Sequence, residues 1–413
     1  MLRILPLADA QSFITRKAMR LAEAEQTVAP ILEAVRKRGD EAVLEFARKF
    51  DGLEGSLTVS ESELREAGRS VSAEFCRALE LASKNIREYA ELQLPREKTV
   101  EFPDGRRLGQ IVRPLESMGA YIPAGRYPLP STLLMTAVPA QVAGVKTICV
   151  TSPRPSAEIL ATAQFLGVRN VFRVGGAQAI AAMAFGTATV PKVDRIVGPG
   201  SIYVTAAKKA LAGEVGIDFI AGPTEIVIIA EDADPKHLAA DMLAQAEHDV
   251  EASAILLTTS RALAETVAQE VARQLETLPT SPVACQSIRN HSAVILCPSV
   301  DAAVDASNRL APEHLAIYDK ALLPKIQHAG SIFVGPSSPE AAGDYASGPN
   351  HVLPTAGAAR IRGGLSAADF VKVISIQELS TDGLRRLAPA ITTLARAEGL
   401  EAHARSVEAR LGK

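Results

Sequence analysis

The sequence predicts an α/β fold with doubly wound parallel sheets, and three observations carry that reading. Short, apolar, β-branched runs recur beyond about Gly109: VKTICV, NVFRV, VDRIV, EIVIIA, SAILLTT, SAVILC and GSIFV. A strand buried on both faces of a parallel sheet reads as such an unbroken run, because helices cover both sides. Ala-rich stretches of helical character separate the runs, which is the alternation of βαβ units. Gly and Pro gather at 121–132, 198–200, 221–225, 311–315 and 343–355, most of them after a predicted strand. The carboxyl ends of strands are where an α/β sheet carries its ligand loops.

Taken in order, the first hundred residues read as helices. Ile31, Leu32, Val35, Val43, Leu44 and Phe46 sit near the helical period, with a break at Gly39-Asp40 where Asp40 is placed to cap a second helix. Ser60-x-x-Glu63 has capping-box spacing, and residues 73–92 form another amphipathic helix. The strand runs then fall into two blocks, 121–223 and 224–335, each large enough for one sheet. The last thirty residues return to helix, with Leu384, Leu387, Ile391 and Leu394 in periodic positions. A chain of 413 residues suggests two or three domains, and it shows no solenoid repeat or low-complexity tract.

Composition excludes several classes. Forty-four basic against 47 acidic residues leave a net charge of −3, so no bulk attraction draws the chain to nucleic acid or an anionic membrane. With 47% hydrophobic and 22% charged residues the chain is expected to fold rather than stay disordered. The lack of Trp and the 4% aromatic content argue against base-stacking surfaces. Cys76, Cys149, Cys285 and Cys297 lie far apart, which fits neither a disulfide framework nor a thiolate zinc site. Cys149 and Cys297 stand inside apolar runs and read as buried, inert thiols. No apolar stretch reaches 18 residues and no signal peptide is recognisable, so a cytoplasmic protein without a membrane span is expected.

Seven histidines narrow the search for chemistry. A helix opened by Asp234-Pro235 runs toward AEHD, where Gln245 and His248, three apart, share a face. That pair reads either as ligands of one ion or as a surface polar pair near a helix end. Glu313 and His314 follow Pro312, and a carboxylate beside an imidazole suits two different proton transfers; the bland alternative is a surface charge pair at a helix end. In GDYASGPNHVLPT, Asp344 and His351 flank a Gly-Pro turn, with Asp344 fit to ligate a metal and His351 to orient a substrate or ligand. Glu398 and His403 lie on a polar tail that is either a solvated face or a reach onto a partner subunit. The GxGxxG fingerprint of dinucleotide sites is missing; Gly175-Gly176 and Gly198-Pro199-Gly200 are shorter turns that still let backbone approach a phosphate. HExxH is missing too, against a zincin protease.

The motifs, in their order, resemble the histidinol dehydrogenase family: YIPAGRYPLPST, VGGAQAIAA, GPGSIYVTAAKK, GIDFIAGPTE, DMLAQAEHD, NRLAPEHLAI, GDYASGPNHVLPT, LSAADF and AEGLEAHARSV. The resemblance runs from about residue 20 to the end. It implies zinc-dependent, four-electron oxidation of L-histidinol to L-histidine through bound L-histidinaldehyde, with two NAD, at the end of histidine biosynthesis. Carried over by position, it puts zinc, one ion per site, on Gln245, His248, Asp344 and His403 and makes Glu313 and His314 the acid–base pair. It implies substrate contacts from Thr224, His351 and Glu398, joined by Gln245, His248, His314, Asp344 and His403. NAD contacts fall on Tyr121, Gln178 and Ser201. Thr224 stands where the family usually has Ser, Ser201 where it usually has Asn, and YIPAG replaces YIPGG; the hydroxyls of Thr224 and Ser201 keep hydrogen-bonding capacity.

The same resemblance implies two incomplete Rossmann-like doubly wound domains plus small helical terminal segments in an intertwined homodimer. It divides the chain into 1–16 with 366–389 as a small domain, 17–120 with 224–365 as the metal and base domain, 121–223 as the NAD domain, and 390–413 as a tail completing the neighbour's site. A dehydrogenase of the same fold acting on another alcohol, such as a sulfonated diol, is the alternative. Glu398, facing a cationic amino group, favours histidinol over it. A zinc hydrolase is a further alternative that would form no NADH.

Overall fold

The computed structural model describes residues 2–14, 21–124, 127–220 and 222–412. The 16/17 domain boundary, Gly125 and Arg126 of the first loop cluster, and Ala221 lie outside the described residues. The N-terminal region is helical as expected over Leu21–Arg38, Asp40–Phe46, Glu61–Ser70 and Ala73–Gln93, but strands Arg3–Pro6 and Lys98–Glu101 stand at its two ends. The capping box is formed: Glu63 N–H donates to Ser60 Oγ while the Glu63 carboxylate accepts from Ser60 N–H. At the 39–40 break the cap differs from expectation. Gly39, with φ of 54°, takes the cap position, and Asp40 becomes the first helical residue. Its carboxylate instead accepts from the Thr189 hydroxyl at 2.7 Å.

Two all-parallel sheets form the body. The first has five strands in the order Asn170–Phe172, Thr147–Thr151, Ser117–Tyr121, Arg195–Val197, Gly216–Ile217. The second has six: Arg3–Pro6, Ala293–Leu296, Ser253–Thr258, Glu225–Ile229, His314–Ile317, Ser331–Val334. The unbroken apolar runs are explained by burial on both faces. In Glu225–Ile229, Ile226 and Ile228 pack into one core while Val227 and Ile229 pack into the core across the sheet. Cys149 and Cys297 are buried, as their apolar surroundings predict. No helix of the described residues is long and apolar enough to cross a membrane.

A third sheet is antiparallel: Val371–Leu379 pairs along its length with Arg106–Pro114, which also pairs with Lys98–Glu101. Its strands are charged and half-exposed, so they lack the apolar signature of the parallel ones. The N-terminal strand Arg3–Pro6 joins the six-stranded sheet, not this one. The C-terminal hairpin of helices, Thr381–Ala397 and Glu401–Arg410, follows directly from it.

In each parallel sheet the strand order reverses once. The reversal lies between Ser117–Tyr121 and Arg195–Val197 in the first, and between Glu225–Ile229 and His314–Ile317 in the second. The first sheet obeys the expected rule, since Tyr121, Gly175-Gly176 and Gly198–Gly200 all lie at the carboxyl ends of strands. The second does not. The 221–225 and 311–315 clusters lead into their strands, so Thr224, Glu313 and His314 gather at the amino edge.

Candidate active site

Glu313 and His314 come from the start of strand His314–Ile317 and are buried, which rules out the surface charge pair. Glu313 Oε2 accepts the Glu225 N–H at 2.9 Å and stands 2.6 Å from Thr224 Oγ1. Burial pushes the Glu313 carboxyl up to about 7, against the pull of His314 and the Thr224 hydroxyl. Glu313 therefore changes charge near neutrality, as a general base must.

His314 Nδ1 lies 3.2 Å from the Glu225 carbonyl, an oxygen that only accepts, so Nδ1 carries the hydrogen. The lone pair is then on Nε2, which is buried and has no hydrogen-bond partner. It points toward Asp344, whose Oδ1 is 3.8 Å away. An orphaned basic nitrogen facing a carboxylate marks a place for a ligand.

Helix Pro235–Ala246 runs to the start of AEHD, with Glu247 at the cap. Gln245 is fully buried on its last turn and His248 lies just beyond, in the turn that follows. His248 Nε2 is 3.7 Å from Asp344 Oδ2. Burial disfavours the His248 cation, yet the Asp344 carboxylate outweighs this and raises its pKa. Burial likewise opposes charge on Asp344, but His248, His351 and His314 hold its carboxyl below the usual range. The short helix Glu340–Tyr345 brings in both Asp344 and Glu340. Ligand atoms of His248, Glu340 and Asp344 all lie within 4.8 Å of one another, and the mixed imidazole–carboxylate set fits a zinc-like ion.

Glu340 was not among the expected residues. It is buried, with Oε1 3.4 Å from His314 Nδ1, and burial beside Asp344 and Glu313 holds its carboxyl well above the usual range. In the orientation that satisfies both ends of its amide, Gln245 donates to Glu340 Oε1 at 2.7 Å and accepts from Thr224 Oγ1 at 2.8 Å. Glu340 thus aims a predicted metal ligand. Its sequence signal is the four-residue spacing to Asp344, which places both carboxylates on one helix face. Glu225 is a second omission: its Oε1 accepts the N–H groups of Glu313 at 3.3 Å and Ala356 at 3.0 Å, tying the Glu313 backbone to the residue just past the 343–355 loop.

His351 closes this side. Its Nδ1–H donates to the Asp344 carbonyl at 2.8 Å, Nε2 lies 3.3 Å from Thr132 Oγ1, and burial lowers its pKa. Thr132 belongs to helix Pro130–Ala143 beside the first sheet, and Tyr127 OH from the same loop cluster donates to the Glu247 carbonyl. The carboxyl edge of one sheet therefore feeds residues to the amino edge of the other.

Of the expected NAD residues, Tyr121 and Gln178 both lie at the Gly175-Gly176 turn. Tyr121 OH accepts the Gly176 N–H at 3.2 Å, and Gln178 Nε2 donates to Asp51 Oδ2 at 3.1 Å, an oxygen that also takes the Gly175 N–H. Ser201 caps helix Ile202–Leu211 without a side-chain bond. Glu398 and His403 are exposed on the terminal hairpin and make no side-chain hydrogen bond or ion pair with a site residue of the described chain.

A family model described as "Histidinol dehydrogenase" matches residues 14–411. The chain belongs to the histidinol dehydrogenase family. It is accordingly an enzyme, an NAD-dependent oxidoreductase. It is 50% identical to the histidinol dehydrogenase of Geobacter metallireducens, over 94% of this chain and 92% of that one. It is 49% identical to that of Geobacter sulfurreducens, over 98% and 97%. The crystal structure of histidinol dehydrogenase from Elizabethkingia anophelis superposes with a TM-score of 0.94 at 38% identity, covering 100% of this chain and 98% of that one. An acetylating aldehyde dehydrogenase from Geobacillus thermoglucosidasius, at 12% identity and a TM-score of 0.50, shares the fold alone.

Proposed function

We propose that this enzyme oxidises L-histidinol to L-histidine in two NAD-dependent steps, holding L-histidinaldehyde between them, with one zinc ion per site. The supporting observation is the pair of bases with separate aims: Glu313, titrating near neutrality, and His314, with a free Nε2 facing Asp344. Gln245, His248 and Asp344 would hold zinc, joined by His403 of a second copy. When bound, zinc would position the substrate's amino and imidazole nitrogens, and NAD would take up one hydride per step.

The chain's own residues divide the proton work. His314 Nε2 takes the hydroxyl proton in the first oxidation, its Nδ1–H anchored on the Glu225 carbonyl. Glu313, ionised with the Glu225 N–H donating to it, then removes a proton from the water that adds to the aldehyde. His351, neutral and fixed by the Asp344 carbonyl, orients the substrate, and Glu398 from the partner faces its amino group. Tyr121, Gln178 and Ser201 line the dinucleotide side, within the proposed 121–223 domain. The active form is a homodimer, cytoplasmic and without a nucleic-acid or membrane partner.

The test is L-histidinol with excess NAD, counting NADH per histidine formed. A ratio near two is expected. A ratio near one, or histidinol consumed without NADH, overturns the reading. Thorough chelation should abolish turnover, and zinc should restore it; undiminished activity in metal-free protein would remove zinc from the proposal.

A further inference from the structure

Beside the first sheet lies a buried ion pair that the chemistry above does not use. Lys208 and Asp218 have side chains only 3% and 1% exposed, and they pair directly with each other. Both also hold one glycine. Gly198 N–H donates to Asp218 Oδ2 at 2.8 Å, and the Gly198 carbonyl accepts from Lys208 Nζ at 3.0 Å. Asp218 Oδ1 takes the Phe219 N–H as well. Two opposite charges thus grip the two polar groups of a single residue.

That residue sits where the strand order reverses, the crevice in which open α/β sheets bind ligands. Its backbone is held in place on the other side too. At φ of 112° a side chain is strained, and a Cβ would meet the Tyr121 carbonyl oxygen at 2.3 Å. The turn continues through Gly200 to Ser201, which caps helix Ile202–Leu211 without a side-chain bond to the first N–H groups. Stability alone gives a weak account of the pair, because a buried ion pair is often no better than an apolar pair of similar volume. What apolar groups cannot do is fix both the N–H and the C=O of Gly198.

We propose that Lys208 and Asp218 are positioning residues that clamp the Gly198–Gly200 turn and thereby set the enzyme's affinity for its dinucleotide. The proposal rests on the reading that places NAD at this crevice. Neither residue touches the nucleotide. They hold the backbone in the shape that receives it, so the cost of ordering the turn does not fall on binding.

The experiment uses the full-length, zinc-loaded enzyme carrying Lys208→Met with Asp218→Asn, a neutral pair of similar volume that keeps an acceptor for Gly198 N–H. NADH binding is followed by its fluorescence, beside the thermal midpoint and the KM for L-histidinol. We expect nucleotide affinity to fall about tenfold or more, with the histidinol KM and the midpoint little changed. Unchanged nucleotide affinity overturns the clamp. So does a loss of nucleotide affinity accompanied by a parallel rise in histidinol KM and fall in midpoint, which is the mark of a merely structural pair. Asp218→Asn alone repeats the test should the double variant not fold. Tyr121→Phe runs alongside. If it weakens NADH while the clamp variants do not, the clamp fails and the site stands; if neither weakens NADH, both fall.

Discussion

At the scale of single residues, the environment of Glu313 couples activity to stability. Its carboxyl, ordinarily near 4.5, is raised to about 7 by burial, so the folded chain binds this proton more tightly than the unfolded one. The stabilisation is complete below about pH 4.5 and is lost as pH rises through about 7, on the order of 3 kcal/mol in all. Glu313→Gln cannot ionise. In metal-free protein it should therefore unfold at a higher temperature than the parent at about pH 8 and at a similar temperature at about pH 4. Thermal unfolding at the two pH values checks this, and an equal gap at both would contradict it. If Glu313 is the proposed base, the same titration sets turnover. Histidine formation should decline as pH falls through about 7 because protonated Glu313 no longer accepts a proton from water, and Glu313→Gln should lose about 100-fold or more in that step. A pH profile of aldehyde oxidation that stays flat through neutrality would rule Glu313 out as the base.

At the scale of elements, the short helix Glu340–Tyr345 positions two carboxylates through one glycine. A Cβ on Gly343 would lie 2.6 Å from Phe333 Cε1, and the Phe333 ring stands 6.0 Å from that of His314. Gly343→Ala should push the helix away from the strand, carrying Glu340 and Asp344 out of reach of His248. The expected result is substoichiometric zinc after purification, with a stability cost of about 1–3 kcal/mol from overpacking. Metal analysis decides it, full zinc and full activity being the contrary outcome. How far this region is legible from sequence depends on distance along the chain. Gln245-x-x-His248 and Glu340-x-x-x-Asp344 are local spacings that can be read directly. The Thr224–Glu313 hydrogen bond joins residues 89 apart, and no local pattern announces it. The helix opened by Asp234-Pro235 runs to Ala246, the first residue of AEHD, as its local cap and spacing predict.

On the scale of the whole molecule, the exposed terminal hairpin and the solvent-facing strand Val371–Leu379, with Val373 and Ile374 about half exposed, fit a partner surface. If Glu398 and His403 act across that surface, defects in the body and in the tail should complement each other. Chains with Glu313→Gln and chains with His403→Asn, each inactive alone, should recover about a quarter of parental activity when co-expressed at equal amounts. Half of the dimers are then mixed, and each mixed dimer has one intact site. No recovery, with mixed dimers shown to form, would place both residues in one chain's site.

Local sequence determined most of the helices and of the strands in the parallel sheets, because burial on both faces demands unbroken apolar runs and turns demand Gly and Pro. It also identified the loops where polar side chains gather, and through nine motifs in order, the family. Tertiary structure alone decided which edge of each sheet the chemistry uses. The proposed dinucleotide residues lie at the carboxyl ends of the first sheet, and the proposed bases at the amino ends of the second. It alone revealed Glu340 and Glu225 behind the bases, the antiparallel pairing of 106–114 with 371–379, and the Lys208–Asp218 grip on Gly198. Those features depend on which residues meet after the chain has folded. Burial then shifts their charges and orients their hydrogen bonds, and neither effect exists until the surrounding sheet is in place.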